Sequence, residues 1–209
     1  MTNPFDNPHT INSSEQLREI YGEPSRRSLT KELDHLSEPY QALVRASGFV
    51  LVASVGPEGL DISPRGDAPG FVRIHDERTL LLPDRRGNNR ADTLNNLVRD
   101  NRISLIFLIP GVGETLRVNG RAKVVIDDEL CDSFTVAGKA PRSVLVTRIE
   151  RTYFQCQKAI VRSALWSQES VVARATLPTA GEMIADSDAS FDHQSYDAGY
   201  ADYMKETLY

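Results

Sequence analysis

Cysteine is scarce. Cys131 and Cys156 are the only two in 209 residues, too few for a disulfide framework, so a reduced, cytoplasmic setting is the expectation. Long apolar runs are missing: none approaches the roughly 20 residues that span a bilayer. The polar opening MTNPFDNPHTINSSEQ also lacks the hydrophobic stretch of a secretory signal. No membrane partner is expected. His9, His35, His75 and His193 are scattered, and none pairs with cysteine or carboxylate at metal spacing. A zinc site therefore has no support. GxSxG and HExxH are absent, and so is GxGxxG, which together with the lack of βαβ alternation excludes a Rossmann domain. Internal repeats are absent too.

A basic surplus is also lacking. The net charge is −5, and residues 167–209 carry eight acidic side chains against Arg174 and Lys205, a net −6 that leaves the rest at +1. A nucleic-acid surface is not indicated. Local arginine clusters instead suit something small and anionic.

What is present is organised around residues 79–98, TLLLPDRRGNNRADTLNNLV. Residues 79–82 suit a buried strand that Pro83, with no N–H to donate, brings to a stop. Asp84, Arg85, Arg86, Gly87, Asn88 and Asn89 form a turn-rich run, and Leu94, Leu97 and Val98 then fall at helical spacing. Guanidinium forks and amide donors thus converge ahead of a helix N-terminus, where an anion is held well. A solvated polar loop with a helix cap is the competing reading. Ser63-Pro64-Arg65-Gly66-Asp67 is the second candidate. Its proline and glycine predict a constrained bend presenting Arg65, either to an anion or to Asp61 or Asp67 in a salt bridge. Lys158, Arg162 and Trp166, four apart, share one helix face, which suits either closure over a ligand or snorkelling beside a buried indole. Cys156 reads as a packed small residue rather than a nucleophile.

The remaining pattern predicts helices over 14–21, around Leu29, Leu33 and Leu36, and over 37–47. Strands are expected at 49–55, 60–63, 71–74, 79–82, 102–109, 114–118, 121–126 and 143–153. Asn119-Gly120 has the chemistry of a tight hairpin turn. Helices follow over 127–136 and 156–166. Successive short strands imply an antiparallel sheet curling into a barrel. The acidic end carries Phe191, Tyr196, Tyr200, Tyr203 and Tyr209, spaced to dock a helix on the domain or on a partner subunit.

In order, SPRGD, LLLPDRRGNNRADTLNNL, RISLIFLIPG, ETLRVNGRA and CQKAIVRSALW resemble the pyridoxamine 5′-phosphate oxidase-related flavoproteins, the FMN-binding split-barrel family, over about residues 36–166. The resemblance is narrowest to a bacterial subfamily with a PRGD motif and an LLLPDR-GN-R loop. It implies a mainly β fold: a six-stranded antiparallel split barrel (48–166), an N-terminal helical arm (1–47) and an acidic C-terminal tail (167–209). It further implies a homodimer with FMN at the subunit interface and a small-molecule substrate, with NAD(P)H a candidate electron donor. By position it assigns the cofactor to Ser63, Pro64, Arg65, Pro83, Asp84, Arg85, Asn88, Asn89, Arg90, Thr115, Lys158 and Arg162. No catalytic acid or base is assigned. The substrate-binding Arg/His motif of the true oxidases has no counterpart here, so pyridoxamine phosphate is not the expected substrate. FMN-dependent hydride transfer is the leading implication. A non-catalytic FMN carrier or sensor, and a dimeric scaffold without cofactor, are the alternatives.

Overall fold

Strand residues alternate between the two faces of a sheet, so a sheet covered on one face buries every second side chain. β1 (Phe49–Gly56) does this with Val50, Val52 and Ser54 inward, and β5 (Arg102–Leu108) with Ile103, Leu105 and Phe107. The computed structural model describes residues 3–87 and 90–209. It resolves into two compact units, one ending at Glu32 and one running Leu33–Tyr209. The first holds α1 (Ser14–Tyr21), capped by the Ser13 side chain and ended at Gly22, and α2 (Arg26–Thr30).

The second unit begins with α3 (Glu38–Ala46) and continues through β1 and β2 (Gly59–Gly66), β3 (Arg73–Asp76) and β4 (Thr79–Pro83). Then come α4 (Asp92–Arg99), β5, β6 (Thr115–Val125), α5 (Asp128–Ser133) and β7 (Val144–Gln155). The last helices are α6 (Lys158–Ser163), α7 (Ala180–Ser187) and α8 (His193–Thr207). The seven strands form one sheet in the order β2-β1-β5-β6-β7-β4-β3, antiparallel at every step. The core joins Val50, Val52, Leu80, Leu82, Leu105, Phe107, Leu116, Val118 and Leu145 to Leu36, Tyr40 and Val44 at α3 and to Leu97 of α4. At roughly 25 cal/mol per Å² of apolar surface removed from water, this cluster is the main stabilising feature of the unit.

Several expectations are corrected. The sheet has seven strands rather than six, and among the described residues no ladder joins its edges β2 and β3, so it is not closed. The eight strand segments read from the sequence become seven because 114–118 and 121–126 are one strand, β6, while the segment expected at 71–74 is the short edge strand β3. Asn119-Gly120 is not a hairpin turn. β6 runs straight through it, with a register shift against β7 between Asn119 and Gly120. A Cβ at position 120 would collide with the Arg148 carbonyl oxygen, so glycine is there for close backbone approach rather than for turning. SPRGD is not a bend either: Ser63 to Gly66 is the second half of β2, Pro64 being tolerated because β2 lies at the sheet edge. The helix around Leu29, Leu33 and Leu36 stops at Thr30, because Leu33 exchanges both backbone hydrogen bonds with Thr152. α6 ends at Ser163, short of Trp166, where Ala164 turns left-handed.

Candidate functional site

β2 and the segment leaving β4 meet at one corner of the molecule. Residues directly opposite in an antiparallel pair share a face. The pairings Ser54 with Asp61, Val52 with Ser63 and Val50 with Arg65 therefore put Asp61, Ser63 and Arg65 in one row on the inward side of the edge strand. On the other segment Pro83 is the last ladder residue of β4, paired with Val144, and the Asp84 amide donates to the Ser143 carbonyl at 2.9 Å. That bond fixes where the chain leaves the sheet, with Asp84 and Arg85 next in line.

Two ion pairs then cross between the segments. Arg65 Nε lies 3.7 Å from Asp84 Oδ1, and Arg85 Nε donates to Asp67 Oδ2 at 2.9 Å. Arg65 thus reaches neither Asp61 nor Asp67, the partners weighed from sequence. Its Nη1 donates to the adjacent Pro64 carbonyl at 3.0 Å. Both side chains of this pair are about four-fifths buried, 23% and 21% exposed. Burial pushes the Asp84 carboxyl above its ordinary range, and the Arg65 charge only partly opposes this. Asp84 is a carboxylate short of donors beside a guanidinium with unspent N–H groups.

The second pair is saturated. Asp67 is only 4% exposed and Arg85 13%. Burial would raise Asp67, but the Ala68 amide, the Tyr209 phenol and Arg85 outweigh it and hold its carboxyl low. Arg85 also donates through Nη1 to the Phe134 carbonyl at 2.8 Å. The fork of Arg85 is therefore committed to the protein itself.

The other expected site residues are placed as follows. Asn88 and Asn89 lie outside the described residues. Arg90 is exposed, with Nε donating to Asp92 Oδ2 at 2.6 Å. The first turn of α4 has no side-chain cap, and Thr93 Oγ1 donates to Asp61 at 3.2 Å, so Asp92 and Asp61 both stand at this turn. Thr115 opens β6 opposite Gln155, the last residue of β7, and Lys158 and Arg162 follow on α6. With Gln157 and Val161 these two cations line a shallow surface hollow. Trp166 Nε1 donates to the Val112 carbonyl at 2.8 Å and ties the segment after α6 to the β5–β6 turn. No hydrogen bond or ion pair among the described residues joins Thr115, Lys158 or Arg162 to the Arg65–Asp84 pair within one chain. Asp67 and Tyr209 are participants outside the expected cofactor-binding set, Asp67 having been weighed only as a partner of Arg65. The signals were the double Arg/Asp pattern of SPRGD and PDRR, whose crossed pairing needs both segments in space, and the aromatic spacing that ends at Tyr209.

Among the described residues no helix is long and apolar enough to cross a membrane, and no cluster of His, Cys, Asp or Glu could hold a metal. No curated protein matches the chain. Solved structures similar to it include a variant of HupZ from Group A Streptococcus, 17% identical over 57% of this chain and 99% of that one, TM-score 0.49. Another is a protein related to general stress protein 26, of the pyridoxinephosphate oxidase family, from Clostridium acetobutylicum, with 18% identity, 56% and 86% coverage and TM-score 0.45. A third is a FAD-binding protein from Mesorhizobium loti, with 16% identity, 57% and 93% coverage and TM-score 0.40. The family model described as pyridoxamine 5′-phosphate oxidase matches residues 36–156, more than half of the sequence. The chain belongs to the pyridoxamine 5′-phosphate oxidase family.

Proposed function

We propose that this protein binds FMN at the corner between β2 and the segment after β4, and uses it as an oxidoreductase on a small organic substrate. The observation that carries this is the unequal state of the two ion pairs. A largely buried carboxylate short of donors costs free energy unless a ligand supplies them. Asp84 needs hydrogen-bond donors and Arg65, with Ser63 in the same row, offers them to an anion. A phosphorylated polyol bearing hydroxyl groups satisfies both, and FMN is such a molecule.

The bound flavin supplies hydride transfer at its N5 position. The chain's own residues bind and orient. Arg65 neutralises negative charge, Ser63 adds a neutral hydroxyl, and Asp84 accepts from hydroxyl or N–H donors. Pro83 ends the ladder so that Asp84 leaves the sheet plane. Among the described residues of this corner, no side chain has the pairing of a nucleophile with its base.

A homodimer fits this reading. β2 is an edge strand whose outward residues Leu60 and Ile62 are 85% and 62% exposed. Exposed apolar side chains on an open edge invite a second copy. A partner would also provide Thr115, Lys158 and Arg162 to a site that one chain does not bring to them.

The test is direct. Purified protein is examined for flavin absorbance and titrated with FMN and FAD. Tight FMN binding with the expected yellow spectrum supports the proposal, and absence of binding by either flavin ends it. Anaerobic addition of NAD(P)H, then of acceptors, separates turnover from carriage: bleaching and reoxidation mark the enzyme, and an unreactive bound flavin marks a carrier or sensor.

A further inference from the structure

The segment after α8 returns to the same corner. Tyr209 donates its phenol proton to Asp67 Oδ1 at 2.9 Å, and the Arg85 guanidinium carbon lies 5.6 Å from the Tyr209 ring centroid. The neighbouring carboxylate raises the phenol's pKa, as expected of a donor held on an anion. A second tie fixes the same stretch, Lys139 Nζ donating to the Glu206 carbonyl at 3.2 Å. Asp67 meanwhile is anchored in the sheet, its amide donating to the Gly48 carbonyl at 3.1 Å. A continuous chain of bonds thus runs from Tyr209 to Asp67, from Asp67 to Arg85, and through one peptide bond to Asp84.

We infer that Tyr209 is a positioning residue for the ligand corner: by holding Asp67 it holds Arg85, and so presents Asp84 to Arg65. This rests on the proposed reading of the Arg65–Asp84 corner as the flavin site. The physical ground is that Arg85 is the residue adjoining Asp84 and has its fork spent on Asp67 and the Phe134 carbonyl. Loss of the phenol proton leaves one oxygen of a 4%-exposed carboxylate with fewer donors. Asp67 then pulls differently on Arg85, and the segment 84–87 loses one of its restraints. Packing of α8 alone would not need the hydroxyl, because the ring and the Lys139 tie would keep the helix in place.

Tyr209→Phe removes only the hydroxyl. Two readouts are compared in the full-length protein. The first is amide hydrogen exchange over residues 84–87 and over α8 without added flavin. The second is the rate at which FMN leaves the loaded protein, followed by recovery of flavin fluorescence on dilution. The expected result is faster exchange at 84–87 and FMN release faster by on the order of tenfold, the effect of one charge-assisted hydrogen bond. Unchanged exchange at 84–87, or loosening confined to α8, overturns the inference whatever flavin does. Faster exchange with unchanged release also overturns it, since Tyr209 is then only an anchor. If the wild-type protein binds no flavin, the function proposed above has failed, and the exchange experiment still decides whether Tyr209 controls the loop.

Discussion

The two arginine–aspartate pairs at this corner use the same residue types and lie on the same two segments, but Asp67–Arg85 is the more deeply buried, and they are built for different purposes. Asp67 has a backbone amide, a phenol and a guanidinium for its oxygens, and its carboxyl is held low. Asp84 has one guanidinium at 3.7 Å and is pushed up by burial. A saturated pair adds nothing by binding a ligand and would lose bonds by releasing its arginine. An under-satisfied pair gains from a ligand with both a negative charge and donors. The contrast separates the residue that holds the corner together from the residue that holds something else.

The sharpest break of this comparison is Arg85→Ala. It strands the Asp67 carboxylate, and breaking a buried pair in this way costs about 3–5 kcal/mol. The expected outcome is a large fall in Tm by calorimetry, with faster FMN release from the folded protein as a smaller second effect, because the segment next to Asp84 loses its anchor. Arg65→Ala should do the opposite: Tm changes little, while FMN affinity in an equilibrium titration falls by about 1.5–3 kcal/mol, as for a charged hydrogen bond. Equal effects of the two substitutions on stability would erase the distinction drawn here.

The smallest effect is a matter of pH. Asp84 has a raised carboxyl in the folded protein, so its contribution favours folding below the ordinary value of 3.8 and is lost as pH rises through the folded value. Asp84→Asn should therefore raise Tm modestly at neutral pH, and the gain should vanish in strong acid. Asp67 is lowered, so its contribution is present above 3.8 and lost as pH falls through the folded value. Asp67→Asn should lower Tm at neutral pH and flatten the loss in acid. Parallel pH profiles for the two variants would contradict the assignment.

Much of the sheet was legible in the sequence because alternation and turn chemistry are local. Residues 49–55, 79–82 and 102–109 announce β1, β4 and β5 by their apolar and β-branched content, and Pro83 ends its strand as expected. Errors fell where a local signal had a non-local cause. Gly120 looks like half of a turn, but it is small because Arg148 of β7 passes against it. Pro64 and Gly66 look like a bend, but an edge strand tolerates both. Arg85 looks as available to a ligand as Arg65, and only the approach of Asp67 and the Phe134 carbonyl shows that its fork is spent.

The sequence by itself determined where β1, β4 and β5 lie, the absence of metal-ligand spacing, and the two arginine-bearing segments that matter, because each is written in residues near one another along the chain. Only the tertiary structure decided which arginine meets which aspartate and that Tyr209, 142 residues on from Asp67, completes the set. Charge pairing depends on distance in space and on burial. Neither exists until the sheet brings its edge strand β2 against the segment that leaves β4.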